Sequence, residues 1–291
     1  MKLGLFAINF GTCGDPAAAV QIAQAAEDAG FESVWTGEHI VLPDPMRPDF
    51  PMPPETPLLD TIVALTWIAA HTKRLRVGSG IILIPPRNPV ILAKELASVD
   101  VISGGRLIVG VGAGWLEAEF RALGVSMDER GKRMDDALAA MRALWTLPHP
   151  THQGPTASFS NVASYPRPLQ RPTPPIVIAG HSRAAMRRAV TMGNGWYGFA
   201  LTLEETRKYV ADLKRLSGEH ARPAELGNLE ISVTPIGPFD REMLEAYEAA
   251  GVHRLIVLPK YNASHEQRHS PVPRDAILRN IEMVSRIAAI S

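Results

Sequence analysis

The chain has 291 residues, enough to bury one large α/β core, and carries 30 Lys and Arg against 30 Asp and Glu. A formal charge of zero leaves no electrostatic footprint for nucleic acid or a membrane surface, so neither is expected as a partner. The lone cysteine, Cys13, excludes an internal disulfide and a cysteine-cluster metal site, and the absence of an export signal or a long apolar run predicts a soluble, cytoplasmic protein.

Leu3 to Asn9 reads as a strand, and Pro16 opens an alanine-rich helix closed by Gly30. Phe31 to Gly37 is the next strand. Residues 40–57 hold seven prolines and little periodicity, so they form an excursion loop. Leu58 to Thr72 resumes as a helix. Leu75 to Leu83 and Leu107 to Val111 are apolar on nearly every residue, as in strands covered on both faces. Between them Pro89 to Ile102 is a helix with proline at its start and Gly104-Gly105 past its end. Asp128 to Leu147 is an amphipathic helix, with Met134, Leu138, Met141 and Trp145 at helical spacing. Residues 148–175 are an insertion rich in Pro, Ser and Thr, partly a short hairpin. Beyond it alternate a strand (Ile176–Ala179), a helix (Ser182–Met192), a weak strand (Gly195–Leu201) and a helix (Leu203–Leu216). A strand (Leu229–Pro235), a helix (Arg241–Ala250), a last strand (Arg254–Leu258) and a terminal helix (Arg274–Ile290) complete the chain.

Eight strands alternating with eight helices predict one closed (β/α)8 TIM barrel over residues 1–291, with insertions at about 40–57 and 148–175. A doubly wound open sheet is the competitor. It lacks support, because NFGTCGD after the first strand is not G-x-G-x-x-G and GVGAG leads into Trp115 rather than an apolar helix.

Ligands of parallel α/β folds sit at the C-terminal strand ends. The candidates there are Asn9, Glu38 and His39, Ser79, Gly80 and Ile81, Arg87 and Asn88, Gly112 and Trp115, and the turn Gly180-His181-Ser182-Arg183. His39 suits proton transfer or a hydrogen bond to a ring carbonyl, or else it anchors the excursion loop. Glu38 positions a ligand or His39, or pairs with Arg87. Glycine within the apolar strand at 78–80 marks either a flat ligand pressed on the backbone or packing against bulky barrel neighbours. Ser182 is a candidate N-cap at a helix start suited to phosphate, with Arg183 in support. No nucleophile elbow and no H-E-x-x-H pair occurs. His265 and His269 stand four apart without a third ligand, so no metal is expected.

These segments have a familiar counterpart. AEDAGFESVWTGEH, LRVGSGIILIPPRNPVILAKELASVDVISGGRLIVGVGAGW, DERGKRMDDAL and YPRPLQRPTPPIVIAG together resemble the luciferase-like monooxygenase superfamily over essentially the whole chain, in particular its F420-dependent oxidoreductases. The resemblance implies a barrel holding a flavin or deazaflavin in its mouth, often as a homodimer. It also implies a cis peptide at Gly80-Ile81, a histidine near the reactive ring at His39, a phosphate turn at Gly180 to Arg183, a cofactor-lining loop at Gly112 to Trp115, and an insertion at 148–175 that covers the site. The sequence departs from relatives carrying a tryptophan a few residues past the histidine, where it has Leu42-Pro43, and a glutamate after the G-x-G-x-G run, where it has Trp115. The first expectation is hydride transfer between coenzyme F420 and a small organic substrate, with Arg87, Arg183, Arg187 and Arg188 available to the cofactor's acidic oligoglutamate tail. An FMN-dependent monooxygenase is the alternative, and a non-catalytic flavin- or deazaflavin-binding protein the second alternative.

Overall fold

A computed structural model describes residues 1–47, 50, 52–259 and 271–289. In chain order it begins with β1 (Lys2–Leu5), α1 (Pro16–Asp28), β2 (Ser33–Thr36), α2 (Thr61–His71), β3 (Arg76–Ser79), β4 (Ile82–Leu83), α3 (Pro89–Ile102) and β5 (Leu107–Gly112). There follow α4 (Glu117–Ala122), α5 (Arg130–Thr146), β6 (His152–Gln153), β7 (Ser158–Phe159), β8 (Ile176–Ala179), α6 (Arg183–Met192) and β9 (Gly195–Leu201). The last elements are α7 (Leu203–Glu219), β10 (Glu230–Pro235), α8 (Arg241–Ala249), β11 (Arg254–Val257) and α9 (Arg274–Ala289).

Local signals set the helix ends. Asp15 accepts from the Ala18 amide and Asn88 from those of Val90 and Ile91, each just before a proline at the first helical position. Thr202 and Glu205 form a reciprocal capping box at α7. Asp60 caps Ile62 and Val63, so α2 starts three residues later than its apolar pattern does. A short 3-10 turn over Met127–Glu129 takes up the start expected for α5.

Eight parallel strands pair in the order β1-β2-β3-β5-β8-β9-β10-β11, and β1 pairs again with β11 from Lys2 opposite Arg254 to Leu5 opposite Val257. The sheet is therefore a closed barrel, and the alternation of apolar strands and helices gives the expected fold. Two strand expectations change. The run from Leu3 to Asn9 stops being strand at Leu5, and Ala7 beyond it takes a positive φ of 68°. The run from Leu75 to Leu83 splits around a cis Gly80-Ile81 peptide, after which β4 pairs with β5 at Ile82 opposite Val111. The strand expected to be weak, at Gly195–Leu201, is a full member of the barrel whose first four residues are buried.

Two apolar cores follow from this closure. Inside the barrel lie Phe6, Ala7, Trp35, Ile108, Val177, Tyr197 and Ile256; outside, the alternate strand residues pack against the helices. Trp35 fills the interior with no exposed surface. A Cβ on Gly4 or Gly78 would come within 2.8 Å of its indole, so glycine at those positions makes room for Trp35. That settles part of the glycine density: Gly78 is a packing glycine. At the N-terminal end the barrel is sealed by charge. The fully buried Arg254 guanidinium donates to Glu32, Glu230 and Ser232 and lies 5.5 Å from the Trp35 ring centroid.

The insertion at 148–175 contains an antiparallel pair, β6 with β7. Its contacts run to the outer helices and to β5. Asp136 of α5 accepts from His152 and Thr156, Lys94 of α3 donates to the Tyr165 carbonyl, and Asp100 near the end of α3 accepts from the amides of Leu169 and Gln170. Gln170 also donates to the carbonyl of Leu107 at the start of β5. These bonds bind the segment to α3, α5 and the start of β5. Among the described residues no helix is long and apolar enough to cross a membrane.

Candidate active site

The C-terminal mouth begins where β2 ends. Asn9 donates to the carbonyls of Gly37 and Leu59 at 2.8 Å each and accepts from the Gly37 amide at 2.8 Å. Its side chain is thus spent on joining the segments that leave β1 and β2, and this staple fixes the direction in which Glu38 and His39 emerge.

Strand alternation sends those two residues to opposite sides. Glu38 points outward and is 2 % exposed, accepting from the Leu83 amide at 2.7 Å and from Arg87 at 2.9 Å. Burial pushes its carboxyl up, while the Arg87 guanidinium pulls the other way. Of the two roles open to Glu38, the structure shows the ion pair with Arg87, and Arg87 also reaches Asp60 at 3.4 Å. His39 takes the other side. Its ring meets Phe50 edge-on at 5.2 Å and Trp115 edge-on at 6.1 Å, and the rings of Phe50 and Trp115 stack at 5.7 Å. Phe50 thereby pins the proline-rich excursion beside the histidine and is itself 2 % exposed, whereas Trp115 leaves 56 % of its surface open.

Ser79, Gly80, Ile81 and Gly112 form the next sector. Ser79 Oγ donates to the Gly110 carbonyl at 2.7 Å and accepts from the Gly110 amide at 2.8 Å, locking β3 to β5. A Cβ on Gly80 would lie 2.9 Å from the Thr36 carbonyl oxygen and 3.0 Å from the Phe6 ring, and one on Gly112 would lie 2.4 Å from Ile81 Cδ1. Only glycine lets the chain come this close, because the Phe6 and Ile81 side chains and the Thr36 carbonyl already fill the space beside Gly80 and Gly112. Phe199, at 5.3 Å from the Phe6 ring and 42 % exposed, extends that apolar surface across the barrel. Asn88 does not read a ligand edge with its carbonyl oxygen, which caps α3.

Across the mouth, Gly180 has a φ of 126° and Ser182 Oγ accepts from the Ala185 amide at 3.1 Å, as expected of an N-cap. The amides of Arg183 and Ala184, first in the helix, have no intrahelical partner by geometry and suit an anion. His181 stacks on Tyr209 at 5.1 Å, and burial holds its imidazole below the ordinary histidine range. Arg183 turns to Glu219 at 2.7 Å, and Arg188 pairs with Asp135 at 2.5 Å and ties α6 to α5. Three arginines of the expected basic rim are therefore neutralised within the chain, while Arg187 is exposed and forms no ion pair among the described residues.

The sequence reading missed Glu119, Phe50, Phe6 and Phe199. Glu119 sits on the unpredicted helix α4 and is 3 % exposed, with its carboxylate against His39 and the Ile40 amide. Nothing in W-L-E-A-E-F separates it from Glu117, which pairs with Arg121 on the surface. Phe199 lies on β9 and Phe6 follows the end of β1 with its ring in the barrel interior, placements that the apolar strand pattern carried in part. The pair His265 and His269 lies outside the described residues. Among those described, no group of three or more His, Cys, Asp or Glu could hold a metal ion.

The sequence profile of the luciferase-like monooxygenase family matches residues 1–285. An FMNH2-dependent dimethylsulfone monooxygenase of Pseudomonas putida is 32% identical over 163 residues, covering 55% of this chain and 45% of that one. The oxygenase component of a flavin-dependent trigonelline monooxygenase of Acinetobacter baylyi is 32% identical over 176 residues, covering 60% and 46%. Among solved structures, a monooxygenase from Streptomyces bottropensis superposes with a TM-score of 0.75 at 21% identity, covering 100% of this chain and 99% of that chain. An F420-dependent secondary alcohol dehydrogenase superposes with a TM-score of 0.78 at 17% identity, covering 98% and 97%. At these identities the two superpositions establish the shared barrel.

Proposed function

The chain belongs to the luciferase-like monooxygenase family and is an enzyme, and from that premise we propose that it is an FMN-dependent monooxygenase acting on a small organic substrate. This reading takes precedence over hydride transfer with coenzyme F420, which the sequence resemblance put first. The state of the arginines carries it. An oligoglutamate tail asks for several unpaired cations, yet of the four expected arginines Arg87, Arg183 and Arg188 each hold a carboxylate of this chain, which leaves Arg187 alone without one among the described residues. FMN ends in a single phosphate, for which a helix start and two free amides are adequate. The flavin-using relatives from Pseudomonas and Acinetobacter support the same choice.

What supports the fit is the chemistry at the rim: the helix start capped by Ser182 offers free amides to a phosphate, and the exposed rings of Trp115 and Phe199 offer apolar surface to a flat ring. The backbone from Gly80 to Ile81, with Phe6 and Phe199, would take the flat ring, and Gly180 to Ser182 with the amides of Arg183 and Ala184 would take the phosphate. Reduced FMN, when bound, supplies two electrons to dioxygen, so that RH, O2 and FMNH2 give ROH, H2O and FMN. Phe50 and Trp115 border the His39 ring with apolar surface, and His39 would move a proton there. The outer face of α2, where Ile62, Val63, Thr66, Trp67 and Ala70 line an apolar recess, supports the homodimer implied by the resemblance. Sedimentation equilibrium tests that state directly.

Anaerobic equilibrium titration with reduced FMN and reduced F420 tests the assignment, followed by oxygen uptake with a flavin reductase. We expect tighter binding of reduced FMN and uptake that depends on organic substrate. Preferential binding of F420 would replace this assignment with the hydride-transfer one. His39→Asn is expected to lower turnover by about 10²- to 10⁴-fold while leaving flavin affinity within about tenfold, the scale of a single lost neutral contact.

A further inference from the structure

Glu119 is buried, 3 % exposed, on the six-residue helix α4, and pairs with no Lys or Arg among the described residues. Both of its oxygens are engaged by donors of one short segment. Oε1 accepts from the Ile40 amide at 2.5 Å and Oε2 lies 3.2 Å from His39 Nδ1. A carboxylate accepts hydrogen bonds and cannot donate them. The nitrogen facing it must carry the proton, which leaves Nε2 of a neutral imidazole as a lone pair. Nε2 makes no hydrogen bond to the described residues, and the ring is wedged between Phe50 and Trp115, so the choice of tautomer falls to Glu119.

From this geometry we infer that Glu119 is the positioning residue of the site: it fixes His39 as the Nδ1–H tautomer, presenting Nε2 as a proton acceptor, and with its other oxygen holds the first residue of the 40–57 excursion against the ring. One side chain thereby sets both the proton direction at His39 and the placement of the loop carrying Phe50. The inference takes His39 as the proton-handling group, and to that extent rests on the proposed function. The tautomer itself does not depend on it.

Glu119→Gln separates the two duties. The Ile40 amide still needs an acceptor and takes the glutamine carbonyl, which turns the glutamine NH2 toward His39 Nδ1. That nitrogen must then accept, so the proton moves to Nε2. Long-range ¹H–¹⁵N correlation spectra of ¹⁵N-histidine-labelled protein without cofactor read this directly at about pH 9, well above the usual histidine range. His39→Asn identifies the resonance by its loss. In the wild-type protein we expect the unprotonated-nitrogen signal of His39 at Nε2, and in Glu119→Gln at Nδ1. A wild-type proton on Nε2, or an unchanged tautomer in the variant, would overturn the inference, and the wild-type measurement stands even if the variant folds poorly.

The kinetic counterpart is a fall in kcat of at least tenfold in Glu119→Gln with KM for the organic substrate within a factor of about three, and no further fall when the change is made in a His39→Asn background. A purely structural Glu119 would lower both backgrounds equally. If the tautomer follows Glu119 but no flavin supports oxygenation, the monooxygenase assignment fails and the positioning role remains.

Discussion

The indole of Trp35 lies against Gly78 so closely that a Cβ there would come within 2.8 Å of its ring carbons. Trp35 has no exposed surface and is held by a hydrogen bond from its Nε1 to Ser33 Oγ at 2.9 Å, so it cannot yield. Gly78→Ala is therefore expected to destabilise the fold by about 1–3 kcal/mol, the usual cost of overpacking. Urea denaturation reads the loss, and a smaller loss in a Trp35→Leu background would locate it at this contact.

Arg254 closes the opposite end of the barrel. Burial acts to raise the Glu230 carboxyl, but Arg254 and Lys2 outweigh it and hold that group below the usual carboxylate range. Arg254→Ala would leave the half-buried Glu32 and Glu230 without their shared cation, with Lys2 still reaching Glu230. A loss of about 3–5 kcal/mol is expected, as for breaking a buried pair from one side. Thermal unfolding measures it, and a shift equivalent to under about 1 kcal/mol would mean that water enters the barrel base freely.

Asp136 anchors the insertion hairpin. Burial acts to raise its carboxyl, but hydrogen bonds from Thr156 and His152 prevail and hold it below its ordinary value. The folded state then binds this proton less readily than the unfolded chain, so the stabilisation is present above the ordinary aspartate range near pH 4 and fades as pH falls below it. Asp136→Asn should cost about 1–2 kcal/mol at pH 7, and the gap from wild type should narrow in melts taken below about pH 4. A gap that stays constant would assign the loss to shape rather than charge.

Cys13 is 2 % exposed, and burial pushes its thiol up to about 12. Native protein is expected to resist iodoacetamide at pH 8, with one adduct by intact mass after denaturation. Rapid native labelling would show that the first turn opens.

The closed barrel was legible because it rests on local and one-dimensional signals. Doubly covered strands are apolar throughout, and helix ends carry Asp15-Pro16, Asn88-Pro89 and Gly104-Gly105 whatever their neighbours are. Backbone placement at the mouth was legible for the same reason, since β2 must deliver residues 38 and 39 to its C-terminal end. The partners of those residues were another matter. Asn9 and Asn88 looked like ligand readers, but one staples two strand exits and the other caps a helix.

By itself the sequence determined the order of the barrel's eight strands and their connecting helices, the family and the position of His39 after β2. Tertiary structure alone decided which charges remain available and which acid holds the histidine. Arg183 meets Glu219 across 36 residues, and His39 meets Glu119 across 80. Hydrogen bonds and ion pairs of that kind depend on distances of a few ångströms between groups that closure of the barrel brings together, and no spacing along the chain encodes them. The same closure put Trp35 behind Gly78, so that glycines alike in sequence serve the core in one case and the mouth in another.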